Sequence, residues 1–317
     1  MRSRLHYLAL ILFLLIPQTS AFAKDDKALR KQRSEAQKER QQQKRDRSAD
    51  LTDANRTLQS YARDLKTDYK EQLKDFDLEF QLKEVELKAE RDKKKAAADA
   101  EYQKLIMSLF TANPDTVEES AETLHERFKK YADENFRIKK EGAKSVQQER
   151  VGIQKQKNGL LDKRDQEILA EAESLGLTTK PEPILAEPIG GELTNSEKSW
   201  NDREKKEVDR IYDRHMRTLR EYRNGKPLRD WELQNMEEDF TLQWAEKEEI
   251  HNIQSEQTFY NSLMMTASRG EKVDQNELMN RIAEISKEVQ LIRIKYGETK
   301  KKNQILRNKK RRELRDK

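Results

Sequence analysis

The sequence predicts an all-α protein of long, charged helices, and three observations carry that prediction. Charged residues make up 39% of the 317 positions and hydrophobic residues 34%, with only nine glycines and six prolines. A chain so polar and so poor in helix breakers either stays unfolded or buries narrow helical stripes. Apolar residues recur at three- and four-residue steps along most of the length, which favours the stripes. The third observation is that the one place where continued helix is close to impossible is short. Pro181, Pro183 and Pro188 each remove a backbone donor and clash with the preceding turn, and Gly190-Gly191 loosen the backbone after them. The predicted architecture is therefore an elongated coiled-coil, helical-hairpin one, with two helical arms joined by a Pro/Gly segment at 178–193.

The chain opens on an address. Arg2 and Arg4 form a positive start, Tyr7 to Ile16 is an apolar run, Pro17 breaks it, and Ala21-Phe22-Ala23 supplies small residues at a cleavage site. That is the layout of a secretory signal peptide, residues 1–23, with Ala21 and Ala23 as the cleavage residues, and the run is too short to span a bilayer. No cysteine stands near it to carry a lipid anchor. The expected location is outside the cytoplasm, periplasmic or extracellular, as a soluble protein.

Residues 24–50 offer almost nothing apolar beyond Ala28, Leu29, Ala36 and Ala49. Ordering them has little burial to set against its entropy cost, so they read as a frayed or isolated helix with some disorder. Residues 51–177 read as a long helical hairpin. Leu51, Leu58 and Leu65 are seven apart, Tyr69 and Leu73 follow by fours, and Phe76, Phe80 and Leu87 restore the heptad after this stutter. Asn113-Pro114-Asp115 reads as a turn and a new helix start. Leu124, Phe128 and Tyr131 open the second helix, Gly142, Gly152 and Gly159 dilute it, and Leu175-Gly176-Leu177 stops it.

Residues 194–296 read as a three-helix, aromatic-rich arm. Thr194 and Glu197 have capping-box spacing. Asn224-Gly225-Lys226-Pro227 ends one helix and starts the next, and Ser268-Arg269-Gly270 ends that one. Asp274 and Glu277 form a capping pair, with Val273 and Leu278 placed for a hydrophobic staple. Leu278, Ile282, Ile285, Val289, Ile292 and Tyr296 then step 4-3-4-3-4, a coiled-coil seam. Residues 297–317 are a basic tail.

Charge is unevenly placed under a net +5. Arg293 to Lys317 holds twelve Lys/Arg and three Asp/Glu, while Leu51 to Ile292 carries a net −10. The tail, with Lys300, Lys301, Lys302, Lys309, Lys310, Arg311 and Arg312, is the strongest functional hint. Such cations can neutralise phosphate in lipid or nucleic acid. Outside the cytoplasm an anionic membrane or polysaccharide surface is the favoured partner, and the tail lacks the aromatics that stack bases, so nucleic acid is disfavoured. The alternatives are a solvated helix end, favoured by the helix dipole, and pairing of the tail with the acidic body.

Catalytic patterns are scarce. With no cysteine, thiolate zinc sites, iron–sulfur clusters and covalently attached haem are excluded. No P-loop, G-x-S-x-G or dinucleotide fingerprint occurs. Glu122-x-x-His125 and Glu248-x-x-His251 match the spacing of carboxylate-bridged di-iron bundles, yet in so Glu-rich a chain that spacing is cheap, and the dry second shell such sites need is hard to supply here. Runs such as Glu237-Glu238-Asp239 and Glu248-Glu249 read as solvated faces. Phe259 to Met265 is a candidate aromatic-and-Met surface for apolar partners.

In outline (cleavable signal, no cysteine, basic balance, long charged helices) the chain resembles the periplasmic holdase chaperones of the Skp type, although it is longer and lacks the strand pattern of their trimerising body. The resemblance implies gripping of unfolded clients. The residues themselves favour a non-enzymatic scaffold, adaptor or tether in the cell envelope, without cofactor or metal, that has protein partners and self-associates. A holdase is the first alternative and a metal-dependent helical-bundle enzyme the second.

Overall fold

The computed structural model describes residues 3–111, 121–267 and 274–316, and among them it is all-α. Five helices follow in order: α1 Ser3–Thr111, α2 Ala121–Ser174, α3 Asn195–Arg223, α4 Gly225–Ala267 and α5 Gln275–Asp316. The Asn113-Pro114-Asp115 turn, the Ser268–Gly270 stop and the staple residue Val273 lie outside the described residues, as do the side chains of Ala21 and Ala23.

Several ends form as their local chemistry dictates. Leu177 N–H donates to Ala172 O and Gly176 N–H to Glu173 O, both at 2.9 Å, with Gly176 at φ 70°. This is a Schellman stop, and Leu177 supplies its apolar contact by burying almost completely. Thr194 and Glu197 form the reciprocal capping box: the Thr194 N–H donates to Glu197 Oε2 at 2.8 Å and the Glu197 N–H to Thr194 Oγ1 at 3.3 Å. The two Thr194 donors hold the Glu197 carboxyl below the usual carboxylate range. At α5, Asp274 Oδ1 accepts from the N–H groups of Asn276 and Glu277.

Packing divides the chain into two compact units. The first combines Met1–Leu65 with Gln166–Arg223, and the second combines Lys66–Asp165 with Asn224–Lys317. The division runs through α1 and α2, and the proline segment lies inside the first unit instead of between the two.

In the first unit, Leu58 and Ala62 of α1, Ile168 and Ala172 of α2, Leu177 and Leu219 of α3 form one buried cluster. Residues 24–50, expected as a frayed or isolated helix with some disorder, lie within the α1 helix. Their apolar content is small, and polar partners supply most of their contacts. Arg47 Nη1 lies 2.7 Å from Glu204 Oε1, and Lys44 pairs with both Glu204 and Glu207. Arg33 donates to Ile189 O at 2.9 Å, and Arg47 to Glu182 O at 3.1 Å. The proline segment is thereby pinned. Prolines lack donors but keep their acceptors, and side chains reach the carbonyls of this stretch. Trp200 Nε1 donates to Ile184 O at 3.0 Å, while the Asn201 amide accepts from Ala186 N–H and donates to Ala186 O. Gly190, at φ 70°, meets Leu29 so closely that a Cβ there would overlap the Leu29 Cδ2.

In the second unit, burial follows stripes. Tyr102 and Ile106 of α1 pack on Phe128 of α2. Arg229, near the start of α4, reaches Asp162 Oδ1 at 2.5 Å and Asp165 Oδ2 at 2.7 Å on α2. Burial works against its charge, and the two carboxylates outweigh that effect, so its pKa stands above the ordinary value. Further along, Gln147 donates to Met236 O at 3.1 Å.

Candidate functional site: the two faces of the C-terminal helix

The seam expected along α5 is its buried stripe: Leu278, Ile285, Val289 and Ile292 are buried, and Ile282 and Tyr296 are half-buried. The stripe sets the rotation of the helix and so decides where each basic residue points. α4 is the helix that α5 packs against.

Beyond the stripe, one flank of α5 is paired with acids of α4. Lys295 reaches Glu249 at 3.1 Å, Lys300 reaches Glu246 at 2.5 Å, Arg307 reaches Asp239 at 2.6 Å, and Arg311 reaches Glu232 at 2.9 Å. Numbers rise along α4 as they fall along α5, so the ladder is antiparallel. Arg307 also approaches Glu238 and the Asn235 carbonyl. Lys295, then the Tyr296 hydroxyl, hold the Glu249 carboxyl below its usual range, and Glu249 in turn raises the Tyr296 phenol. Of the seven tail residues expected to act together, Lys300 and Arg311 are thus held by α4, and Lys310 lies 3.8 Å from Glu313 on its own helix.

The remaining four, Lys301, Lys302, Lys309 and Arg312, are exposed and make no ion pair among the described residues. Ile305 and Leu306 stand among them at 69% and 63% exposure. From Lys301 to Arg312 the helix rises about 16 Å at 1.5 Å per residue. The outer face therefore offers a row of flexible cations around two apolar side chains. Such a surface can neutralise several phosphates or sulfates while seating aliphatic groups at a lipid boundary.

Pairing of the tail with the acidic body, one of the alternatives the sequence leaves open, occurs for Lys300, Arg307 and Arg311, although the α4 acids themselves read as solvated faces. The signal was present: Glu232, Asp239 and Glu246 are seven apart, as are Lys300 and Arg307.

The histidines do not converge. His251 Nε2 lies 2.8 Å from Asp133 Oδ1 and its ring stacks on Phe136 at 4.1 Å, while Glu248 turns to Lys140. His125 faces Thr258 and the edge of Phe259. No group of three or more acidic or histidine side chains that could hold a metal occurs among the described residues. His215, in the first unit, is buried with Nε2 3.0 Å from Asn55 Nδ2. Of the candidate aromatic-and-Met surface, Phe259 and Tyr260 are half-buried against each other, and the side chains of Met264 and Met265 lie outside the described residues. No helix is long and apolar enough to cross a membrane among the described residues. Comparison of the chain with protein-family models, with curated proteins and with solved structures gives no match.

Proposed function

We propose that the protein is an exported, non-enzymatic helical scaffold or tether of the cell envelope whose C-terminal helix contacts an anionic surface. One observation carries this reading: the basic residues of α5 divide into a set engaged by α4 and a free outer set, Lys301, Lys302, Lys309 and Arg312, flanking exposed Ile305 and Leu306. The inner set fixes the helix, and the outer set is left for a partner. Four juxtamembrane cations contribute about 4 kcal/mol toward an anionic bilayer, roughly a thousandfold in affinity. Export rests on the residue 1–23 signal pattern, and self-association belongs to the same proposal.

The test is flotation of the purified mature chain with vesicles containing phosphatidylglycerol, against vesicles of phosphatidylcholine alone. Binding to the first, weakened by raising salt from roughly 0.05 to 0.5 M, is the expected result. Equal partitioning to both vesicle types, or none to either, overturns it.

A holdase is the second reading, favoured by Leu78, Leu82 and Val85, which leave an exposed apolar stripe on α1 at helical spacing. It requires that stoichiometric protein suppress aggregation of an unrelated unfolded client, and that Leu82→Glu with Val85→Glu abolish the effect.

A further inference from the structure

The outer face of α5 does not begin at Lys301. It extends toward the N-terminus through Glu298 to Ile294 and Leu291, which are 58% and 57% exposed. Leu291, Ile294, Glu298, Lys301, Ile305 and Lys309 step 3-4-3-4-4, so they form one helical line, about 27 Å long at 1.5 Å per residue. All six are exposed, whereas Val289 and Ile292 of the stripe are buried. The exposed line and the buried stripe therefore run along opposite sides of the helix.

The line is graded. It is aliphatic at Leu291 and Ile294 and mixes cations with Ile305 and Leu306 from Lys301 onward. Its one carboxylate, Glu298, stands one helical turn from both Lys301 and Lys302. Three occupants suit such a face unequally. A second copy of the same face fits badly. In parallel register the cations meet their own kind, and in antiparallel register they meet Leu291 and Ile294. An anionic polysaccharide answers the cations and leaves four aliphatic side chains in water. An anionic bilayer answers both, with phosphates for the cations and an acyl boundary for the aliphatic groups.

Resting on the reading of α5 as a contact face, we infer that its partner is a lipid bilayer in which the helix lies parallel to the surface. Leu291, Ile294, Ile305 and Leu306 enter the acyl boundary of an anionic leaflet. Lys301, Lys302, Lys309 and Arg312 stay at the level of the phosphates, which their long stems allow.

The chain holds no cysteine, so a single introduced thiol carries a unique label. Leu291→Cys, Ile294→Cys and Ile305→Cys, with Gln290→Cys as the lateral control, are all exposed positions. Each whole mature chain is labelled with nitrobenzoxadiazole and mixed with phosphatidylglycerol vesicles. These carry a lipid spin-labelled near the head-group end of its acyl chain. Emission should rise roughly threefold at positions 291, 294 and 305, and the spin label should quench it there but not at position 290. In a separate, unlabelled chain, Leu291→Gln with Ile294→Gln should weaken vesicle binding about tenfold and leave binding to dextran sulfate unchanged. Flotation with the vesicles while the labels stay unquenched overturns insertion and leaves the anionic contact standing. Absence of flotation removes the contact reading as well. Equal quenching at position 290 identifies general adsorption and overturns the proposal. So does a glutamine pair that leaves vesicle binding untouched or weakens dextran sulfate equally.

Discussion

The two units solve the same compositional problem in different ways. Both are built from highly charged helices, yet the first closes on a compact centre and the second on stripes and ladders. The five largest fully buried side chains among the described residues, Ile168, Leu177, Leu219, Glu204 and Val208, all belong to the first unit. One of the five is a carboxylate, answered by Arg47 and approached by Lys44. The second unit also buries one matched cluster, Arg229 with Asp162 and Asp165, yet along α4 and α5 its charges pair near solvent, as in the ladder. Few apolar residues suffice for a cohesive unit when buried charges are matched. Along α5, where charges are matched at the surface, the helix keeps a free face, and this is where contact with other molecules becomes possible.

The comparison breaks most sharply at Ile168. Ile168→Ala removes a side chain with no solvent exposure and should cost about 4 kcal/mol in the first unit. Trp200 is the single tryptophan of that unit, so denaturation of a Trp231→Phe, Trp244→Phe background by fluorescence reads it alone. A loss under about 1 kcal/mol would mean that the cluster does not hold the unit.

Glu204→Ala should come next, at about 3 kcal/mol, since it leaves Arg47 and Lys44 facing a buried site without their partner. The same fluorescence midpoint measures it, and a neutral outcome would show that the ion cluster is incidental to the packing of the proline segment.

A pH effect is smaller. The Asn55 amide nitrogen can only donate, so His215 Nε2 accepts and the neutral ring carries its proton on Nδ1. Burial, then the charge of Arg214, lower the His215 pKa below its ordinary value of 6.5. With the folded pKa depressed, the unfolded chain binds more protons on acidification, so this contribution is full above pH 6.5 and is lost as pH falls below it. The slope is at most about 1.4 kcal/mol per pH unit for one proton. His215→Gln should flatten this slope between roughly pH 7 and 5, measured by denaturation at each pH.

Smallest is the ladder. Arg307→Ala should cost roughly 0.5 kcal/mol in the second unit, as exposed pairs do, and salt should reduce even that. The midpoint read from Trp231 and Trp244 checks it.

Legibility in the sequence followed the same divide. Local chemistry was readable: the Thr194–Glu197 cap, the Gly176 stop, the Asn224-Gly225 break and the α5 stripe all stand where their residues predicted. Each depends on neighbours within a turn or two of helix. The features that escaped reading depend on distant partners. Residues 24–50 have few apolar groups, so nothing local reveals that Arg33 and Arg47 meet carbonyls more than a hundred positions away. The proline segment reads as a joint because its own backbone cannot be helical, and its fastening comes from Trp200 and Asn201 on α3. On α5 the sequence marked seven basic residues as one tail, and only the rotation imposed by the stripe separates Lys300 and Arg311, held by α4, from the free outer four.

That separation is the central claim, and two charge-neutralised variants measured side by side test it most directly. One carries Lys301→Gln, Lys302→Gln, Lys309→Gln and Arg312→Gln, and the other Lys300→Gln, Arg307→Gln and Arg311→Gln. Each is assayed for binding to phosphatidylglycerol vesicles and for thermal stability. The outer variant should lose vesicle binding by roughly a hundredfold or more with an unchanged melting temperature. The inner variant should melt earlier and keep most of its binding. Equal loss of binding in both, or a stability loss confined to the outer variant, would contradict the division of α5 into a structural face and a contact face.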